Sequence, residues 1–321
     1  MFAVYVAAAD PEDPLSALEM GERPEPEVPE GWARVRVKAV SLNHHDLWSL
    51  KGQGLPPERM PMILGTDAAG IDDDGREVVV HGVIATPGWI GDESFDPRRT
   101  LLSELHQGTM AEYVVVPRQN LLPKPAELTF EEAACLPTAW LTAYRMLTRD
   151  SGLQPGDTVL IQGASGGVAT ACIAIGRQMG LRVWVTGRTE DKRAAALDLG
   201  AHGAFETGAR LPGKADAVID TVGEATWGHS LRSVRPGGSI VTCGATSGPN
   251  PPADINRLFF FQIRIIGSMM GNRQELEKVL QLCATTGLRP HISATMSLAE
   301  CRPGFEAMAA GNTNGKIVFT I

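Results

Sequence analysis

The sequence predicts an α/β protein of two domains, one mostly β and one built on a parallel sheet with helices between its strands. Three observations carry this expectation. The 321 residues exceed the length at which a single hydrophobic core usually stops growing. Apolar and charged residues alternate through the first third of the chain, and from Thr158 onward short β-rich runs take turns with helical segments.

From Trp32 to Val40, WARVRVKAV has the period of two that half-buries a strand, and β-rich runs recur at Arg76 to Val80 and Ala111 to Pro117. After Pro123 and Pro125, Thr129 and Glu132 form a capping box that opens a helix, which Pro137 interrupts. Beyond Pro155-Gly156 the pattern reads strand TVLIQG, helix Gly167 to Met179, strand RVWVTG, helix Glu190 to Leu199, then strands DAVIDTV and GSIVTCG. FFFQIRIIGSMM, Phe259 to Met270, reads as the last strand of that sheet. A helix on RQELEKVLQL, a capping-box helix started by Ser297 and Glu300, and a closing strand GKIVFTI complete the chain and return it to the first domain. The expected division is 1–124 with 270–321 for the mostly β domain and 125–269 for the other.

With 29 Lys plus Arg against 37 Asp plus Glu, the net charge is −8, which offers no basic footprint for nucleic acid or an anionic membrane. A small-molecule partner is expected instead. Cys135, Cys172, Cys243, Cys283 and Cys301 are odd in number, widely spaced and free of any CxxC pair, which fits a reducing, cytoplasmic setting. The N-terminal MFAVYVAAADPEDP lacks the basic start and long apolar core of a signal peptide, and no apolar run approaches the ~18–20 residues of a membrane span.

In Gly163-Ala164-Ser165-Gly166-Gly167-Val168 the glycines stand between a strand and a helix, the context of a Rossmann dinucleotide-binding fingerprint. Gly163 permits the tight turn, Gly166 or Gly167 lets backbone approach the pyrophosphate, and the N–H groups from Ser165 to Val168 face the phosphates. The second strand ends in Gly187-Arg188-Thr189 where an acidic residue would select a free ribose 2′-hydroxyl. Arg188, with Thr189 and Lys192, points to a 2′-phosphate and so to NADP(H). For Lys192 and Arg193 the solvated face of a helix is an equal reading.

The segments VKAVSLNHHDLWSLKG, LGTDAAG, GTMAEYVVVP, AACLPTAWLTAY, LIQGASGGV, VRPGGSIVTCG and NGKIV together resemble the medium-chain dehydrogenase/reductase superfamily, in its zinc-independent quinone oxidoreductase-like branch. The resemblance spans nearly the whole chain. It implies a GroES-like catalytic domain beside the Rossmann domain, and a homodimer joined through the Rossmann edge strand at FFFQIRIIGS. Zinc-containing relatives place Cys at Asn43, His within Gly65-Thr66-Asp67 and Cys near Thr138, and they carry a four-cysteine lobe where Gly88 to Gly108 here has none. Amide and hydroxyl groups do not replace thiolate and imidazole in a tetrahedral zinc site, so no zinc is expected. His44-His45 has no third ligand at recognisable spacing.

Without a metal to stabilise an alkoxide, zinc-type alcohol oxidation is disfavoured. Hydride transfer to a quinone or an α,β-unsaturated carbonyl asks only that donors stabilise the developing oxyanion. The resemblance sets Asn43, His45, Asp46 and Trp48 beside the nicotinamide. Asn43 is a candidate to donate to the substrate carbonyl or to hold the cofactor, His45 to supply a proton, and Trp48 to form an apolar wall. His45 and Asp46 also admit a plain role in fixing a loop. Gly244, Ala245 and Thr246, with Ser268, Met269 and Met270, follow later strands and are assigned to the nicotinamide pocket. Asn314 and Lys316 are added as cofactor-side candidates, although Lys316 also reads as a surface charge. An enoyl-thioester reductase, against which the missing tyrosine at Trp48 counts, and a binding protein that holds NADPH without turnover remain as alternatives.

Overall fold

The computed structural model describes all 321 residues, Met1–Ile321. They form two compact units, Met1–Thr138 with Gly271–Ile321 and Ala139–Met270. The first crossing comes later than the expected Lys124 because the capped helix Phe130–Ala134 packs on strands Trp32–Ser41 and Ala68–Asp72 of the first unit.

The first unit is built on a seven-stranded sheet. Its main path runs Leu121–Pro123, Glu77–Val80, Ala68–Asp72, Trp32–Ser41, Lys316–Thr320 and Ile292–Ser297, and Tyr113–Pro117 also pairs with Trp32–Ser41. Ala33, Val35 and Val37 are buried while Arg36 is exposed, as the alternation requires. The closing strand pairs antiparallel with the long one, Val318 opposite Ser41 and Phe319 opposite Val40. Phe305 and Phe319 stack in the core beneath it, ring centroids 6.0 Å apart. A region expected to be mostly β also contains a helix, His44–Leu50, because the Asp46 carboxylate accepts the Asn43 N–H and satisfies its first turn.

The second unit carries six parallel strands: Thr158–Gln162, Arg182–Gly187, Gly203–Glu206, Ala215–Asp220, Val234–Thr242 and Arg264–Gly267. Numbered in chain order they lie 3-2-1-4-5-6, the doubly wound arrangement whose direction reverses beside the first strand. Thr158–Gln162 is buried throughout, as a central parallel strand must be. Helix Gly167–Gln178 packs closely on the next strand: a Cβ on Gly176 would stand 3.1 Å from Val183 Cγ2.

Three local expectations are corrected. Phe259 and Phe260 end a helix, Ile255–Phe260, that Asp254 caps through the Arg257 N–H, and the last strand is only Arg264–Gly267. Ser297 caps a short 3-10 turn, Leu298–Glu300, and the following helix starts at Arg302 with Pro303 in its first turn. The third strand, Gly203–Glu206, escaped detection because it is four residues long and only partly buried. Pro137 does interrupt its helix, by opening a π-helical turn at Leu136–Trp140 where the missing N–H would otherwise break the ladder.

Candidate functional site

In the second unit, Gly163 leaves the first strand with φ +90° and donates its N–H to Thr186 Oγ1 at 3.3 Å. Thr186 donates in turn to Gln162 Oε1 at 2.7 Å, so a side-chain ladder holds the turn on the sheet. Gly166 caps helix Gly167–Gln178 without a side chain, and the space over its Cα is open. An uncapped helix start under open space is the geometry by which backbone N–H groups receive a phosphate. Gly187 serves a different need: a Cβ there would lie 3.0 Å from Arg193 Cγ and 3.2 Å from Ala164 Cβ, so its smallness lets the second strand reach the glycine turn.

Beyond Gly187 the side chains divide their work. Arg193 folds back onto the Gly187 carbonyl at 2.9 Å, and the Thr189 hydroxyl oxygen caps helix Glu190–Asp198. Arg188 is exposed. Lys192 is half-buried, and burial, with the neighbouring Arg188 charge second, lowers its pKa. Two crowded cations at the end of the second strand suit an anion.

At the carboxyl ends of the later strands, the loop containing Gly244, Ala245 and Thr246 is pinned to the turn after Asp220. Ser247 donates to the Val222 carbonyl at 2.7 Å, and Gly223 leaves no room for a side chain against Gly248 and Ala245. Ser268 donates its N–H to the Thr242 carbonyl at 2.8 Å, while its buried Oγ has no partner. The Met269 carbonyl accepts from Arg145, and Met270 turns the chain with φ +41°. In the first unit Asn314 Oδ1 is likewise buried without a partner. Each of these orphaned polar atoms, Ser268 Oγ in the second unit and Asn314 Oδ1 in the first, leaves a hydrogen bond to be supplied from outside the protein.

The first unit brings together the three positions at which the resemblance looks for zinc ligands. Asn43 Nδ2 lies 3.4 Å from Thr66 Oγ1, and Thr66 Oγ1 lies 3.0 Å from Thr138 Oγ1. Asp67, wholly buried, is the hub: it accepts from Ser41 Oγ at 2.6 Å, Asn43 Nδ2 at 2.8 Å and Thr138 Oγ1 at 2.5 Å. From the sequence Asp67, in the former ligand segment, reads as a structural carboxylate capping backbone N–H groups rather than a general acid, and Lys316 reads equally as a surface charge; the carboxylate instead gathers side-chain donors. Lys316 is 2% exposed; its Nζ donates to the Leu42 carbonyl at 2.8 Å and to Asn43 Oδ1 at 2.6 Å, and lies 3.6 Å from Asp67 Oδ2. The pairing of the closing strand with Trp32–Ser41 brings it there.

This donor set does not fit zinc. It offers an amide, two hydroxyls and one carboxylate, and it already holds an ammonium group. No group of three or more His, Cys, Asp or Glu side chains is placed to hold a metal ion. Both N–H bonds of the Asn43 amide are committed, to Asp67 and to the Ser41 carbonyl at 3.2 Å, and its oxygen accepts from Lys316. The amide expected to polarise a substrate carbonyl is thus occupied inside the protein.

Helix His44–Leu50 presents the other candidates. The His45 ring nitrogens contact Glu104 Oε1 at 3.3 Å and Ser103 Oγ at 3.4 Å. Burial pulls the His45 pKa down, but the Glu104 hydrogen bond and the charges of Asp46, Glu104 and Asp67 together outweigh it and raise it. Asp46 holds both the Asn43 N–H and the Gly65 N–H, at 2.8 and 2.9 Å. Trp48 is half-buried on the same helix.

Residues 29–126 match the alcohol dehydrogenase GroES-like domain, and residues 167–285 match the zinc-binding dehydrogenase family. A crotonyl-CoA reductase of Streptomyces collinus is 30% identical over 90% of this chain and 78% of its own length. The chain is a medium-chain dehydrogenase/reductase. Among solved structures, an NAD-dependent alcohol dehydrogenase superposes on this dehydrogenase/reductase with TM-score 0.91 at 33% identity, covering 100% of both chains. A 2-octenoyl-CoA carboxylase reductase in complex with NADP and 2-octenoyl-CoA superposes with TM-score 0.91 at 27% identity, covering 99% of this chain and 87% of its own. The α/β, Rossmann-plus-GroES-like architecture expected from the sequence is the one observed.

Proposed function

We propose that this medium-chain dehydrogenase/reductase is a zinc-independent, NADPH-dependent reductase of α,β-unsaturated thioesters. The observation that carries the reading is the cluster around Asp67: at the positions of the zinc ligands the chain keeps a sealed hydrogen-bonded network with its own cation. A site of that kind offers no Lewis acid for oxidising an alcohol. Conjugate reduction needs none, because the negative charge formed on hydride addition spreads onto a carbonyl oxygen. The likeness to crotonyl-CoA reductase and to the octenoyl-CoA enzyme favours a thioester over the quinone that sequence reading put first.

Bound NADPH would supply the hydride. The chain's own part would be to hold it: the helix start at Gly166–Val168 would receive the pyrophosphate, Arg188 and Lys192 the 2′-phosphate, and Ser268 Oγ would contribute an unpaired polar atom of the same unit. His45, whose pKa the Glu104 hydrogen bond and the neighbouring carboxylates raise against the effect of burial, is the proton donor of this reading.

The test is NADPH oxidation with crotonyl-CoA, octenoyl-CoA, a simple enone and 1,4-benzoquinone as acceptors. Turnover with the thioesters at more than ten times the kcat/KM of the quinone is expected. Turnover of the quinone alone would return the assignment to the quinone reductases, and tight NADPH binding with no turnover would make the protein a binder.

The assembly belongs to the same proposal. Strand Arg264–Gly267 lies at the sheet edge, and the nearby Ile255, Phe259 and Phe260 are 63%, 65% and 72% exposed. An apolar edge of this kind needs cover, and a second copy of the chain supplies it. No helix is long and apolar enough to cross a membrane.

A further inference from the structure

Lys316 Nζ donates to the Leu42 carbonyl at 2.8 Å and to Asn43 Oδ1 at 2.6 Å, and stands 3.6 Å from Asp67 Oδ2, the distance of an ion pair rather than of a hydrogen bond. The buried Asp67 carboxylate, whose other side-chain neighbours are neutral donors, calls for a positive charge at that place, and the Lys316 ammonium supplies it. Around Asp67 every neighbour is a donor: Ser41, Asn43 and Thr138 give it their protons, and Lys316 supplies the balancing charge. The Thr138 proton is spent on Asp67, so Thr66, 3.0 Å away, donates to Thr138 Oγ1. The hydrogen-bond directions of the whole cluster therefore follow from one buried carboxylate and one buried ammonium.

We propose that the Lys316 ammonium is the site's built-in cation, taking the place of the catalytic metal of zinc-dependent relatives and acting as a positioning residue that fixes Asn43 through its Oδ1. It does what a metal ion would do for its ligands, holding oxygen atoms from separate segments at one point. Lys316, Leu42, Asn43 and Asp67 come from the closing strand, the turn after Trp32–Ser41 and the segment leading into Ala68–Asp72. Unlike a metal ion, it keeps no open coordination position for a substrate oxygen, since it is 2% exposed and already donates to two oxygen atoms of the protein. Its burial is tolerable only because Asp67 is buried with it, and either charge alone would be stranded. The proposal rests on the family reading for the ligand positions, but not on which acceptor is reduced, and its test needs no turnover.

The test is a double-mutant cycle with Lys316→Met, Asp67→Asn and the two together, read by melting temperature. Each single variant is expected to melt well below the parent, and the double variant to recover at least half of the summed loss. Strictly additive losses would overturn the pairing. If the single variants do not accumulate as folded protein, a folded double variant is the same result in stronger form; a double variant that also fails to fold counts against the pair. The second readout is nitrogen NMR of the parent chain labelled at lysine. A slowly exchanging ammonium resonance should be present at pH 7 and missing from the double variant. Absence of a protected ammonium signal from the parent would overturn the proposal whatever the melting data show.

Discussion

Asp46 is wholly buried and accepts two backbone N–H groups, from Asn43 and Gly65. Burial is the largest influence on it and pushes its pKa up to about 6, against the opposing pull of the His45 charge and the Asn43 N–H. A carboxyl whose folded pKa lies above its unfolded value binds more protons folded than unfolded, so it loses stability as pH rises between the two. The parent chain should therefore lose stability relative to Asp46→Asn as pH is raised from about 4 through 6. Melting curves of both proteins at pH 4.5 and 7.5 check this; a gap that is constant or widens in the parent's favour contradicts it.

Arg188 admits a similar test at the cofactor end. It stands exposed beside Lys192, whose pKa burial and the Arg188 charge lower together, and a 2′-phosphate relieves that repulsion. Arg188→Ala should weaken NADPH binding by roughly ten- to a hundredfold and leave NADH within about twofold. Fluorescence titration with the two nucleotides measures it, and an equal loss for both would remove the phosphate role.

Among the elements, the glycine turn and the second strand act as one piece. Gly163 hangs on Thr186, and Gly187 lets Ala164 and Arg193 come so close that a methyl group would press on both. Gly187→Ala should cost about 1–3 kcal/mol by overpacking and raise the NADPH dissociation constant several-fold, because the turn has nowhere else to go. Denaturant unfolding and titration read the two effects; a variant with parental stability and affinity would show that the contact is slack.

The stretch from Gly88 to Gly108, with Thr86 just before it, has a support that no local pattern reveals. Where zinc-containing relatives are expected to carry four cysteines, carboxylates tie the chain to itself. Asp96 accepts the Thr86 N–H and hydroxyl, Asp92 caps the turn at Glu93–Phe95, and Glu104 accepts the Leu101 N–H. Each is a short-range hydrogen bond of ordinary strength, so the segment is held by many small contributions rather than by one metal centre.

At the scale of the whole molecule, the proposed dimer depends on an apolar surface that has no cover in a single chain. Phe260→Glu places a charge at its most exposed phenylalanine and should convert a species of about twice 34.3 kDa into one of 34.3 kDa by light scattering. A parent protein that already runs at 34.3 kDa would defeat the assembly proposal while leaving the cofactor and acceptor readings untouched.

The amino-acid sequence by itself determined what depends on neighbours along the chain. The alternation of Trp32 to Val40, the β-strand and helix rhythm after Thr158, the capping box at Thr129 and Glu132 and the glycine turn at Gly163 are all local, and the structure has them where the pattern put them. Local signals also misled: three phenylalanines in a row look like a strand, yet two of them end a helix that Asp254 caps and the third follows it. Only the tertiary structure decided the site. Asn43, Asp67, Thr138 and Lys316 meet through contacts that span up to 273 residues, and it is the pairing of the closing strand with Trp32–Ser41 that brings in Lys316. No periodicity or spacing encodes that pairing. A lysine near a chain end reads as a solvated charge until the fold encloses it, and a buried charge then needs a partner that only the fold can bring.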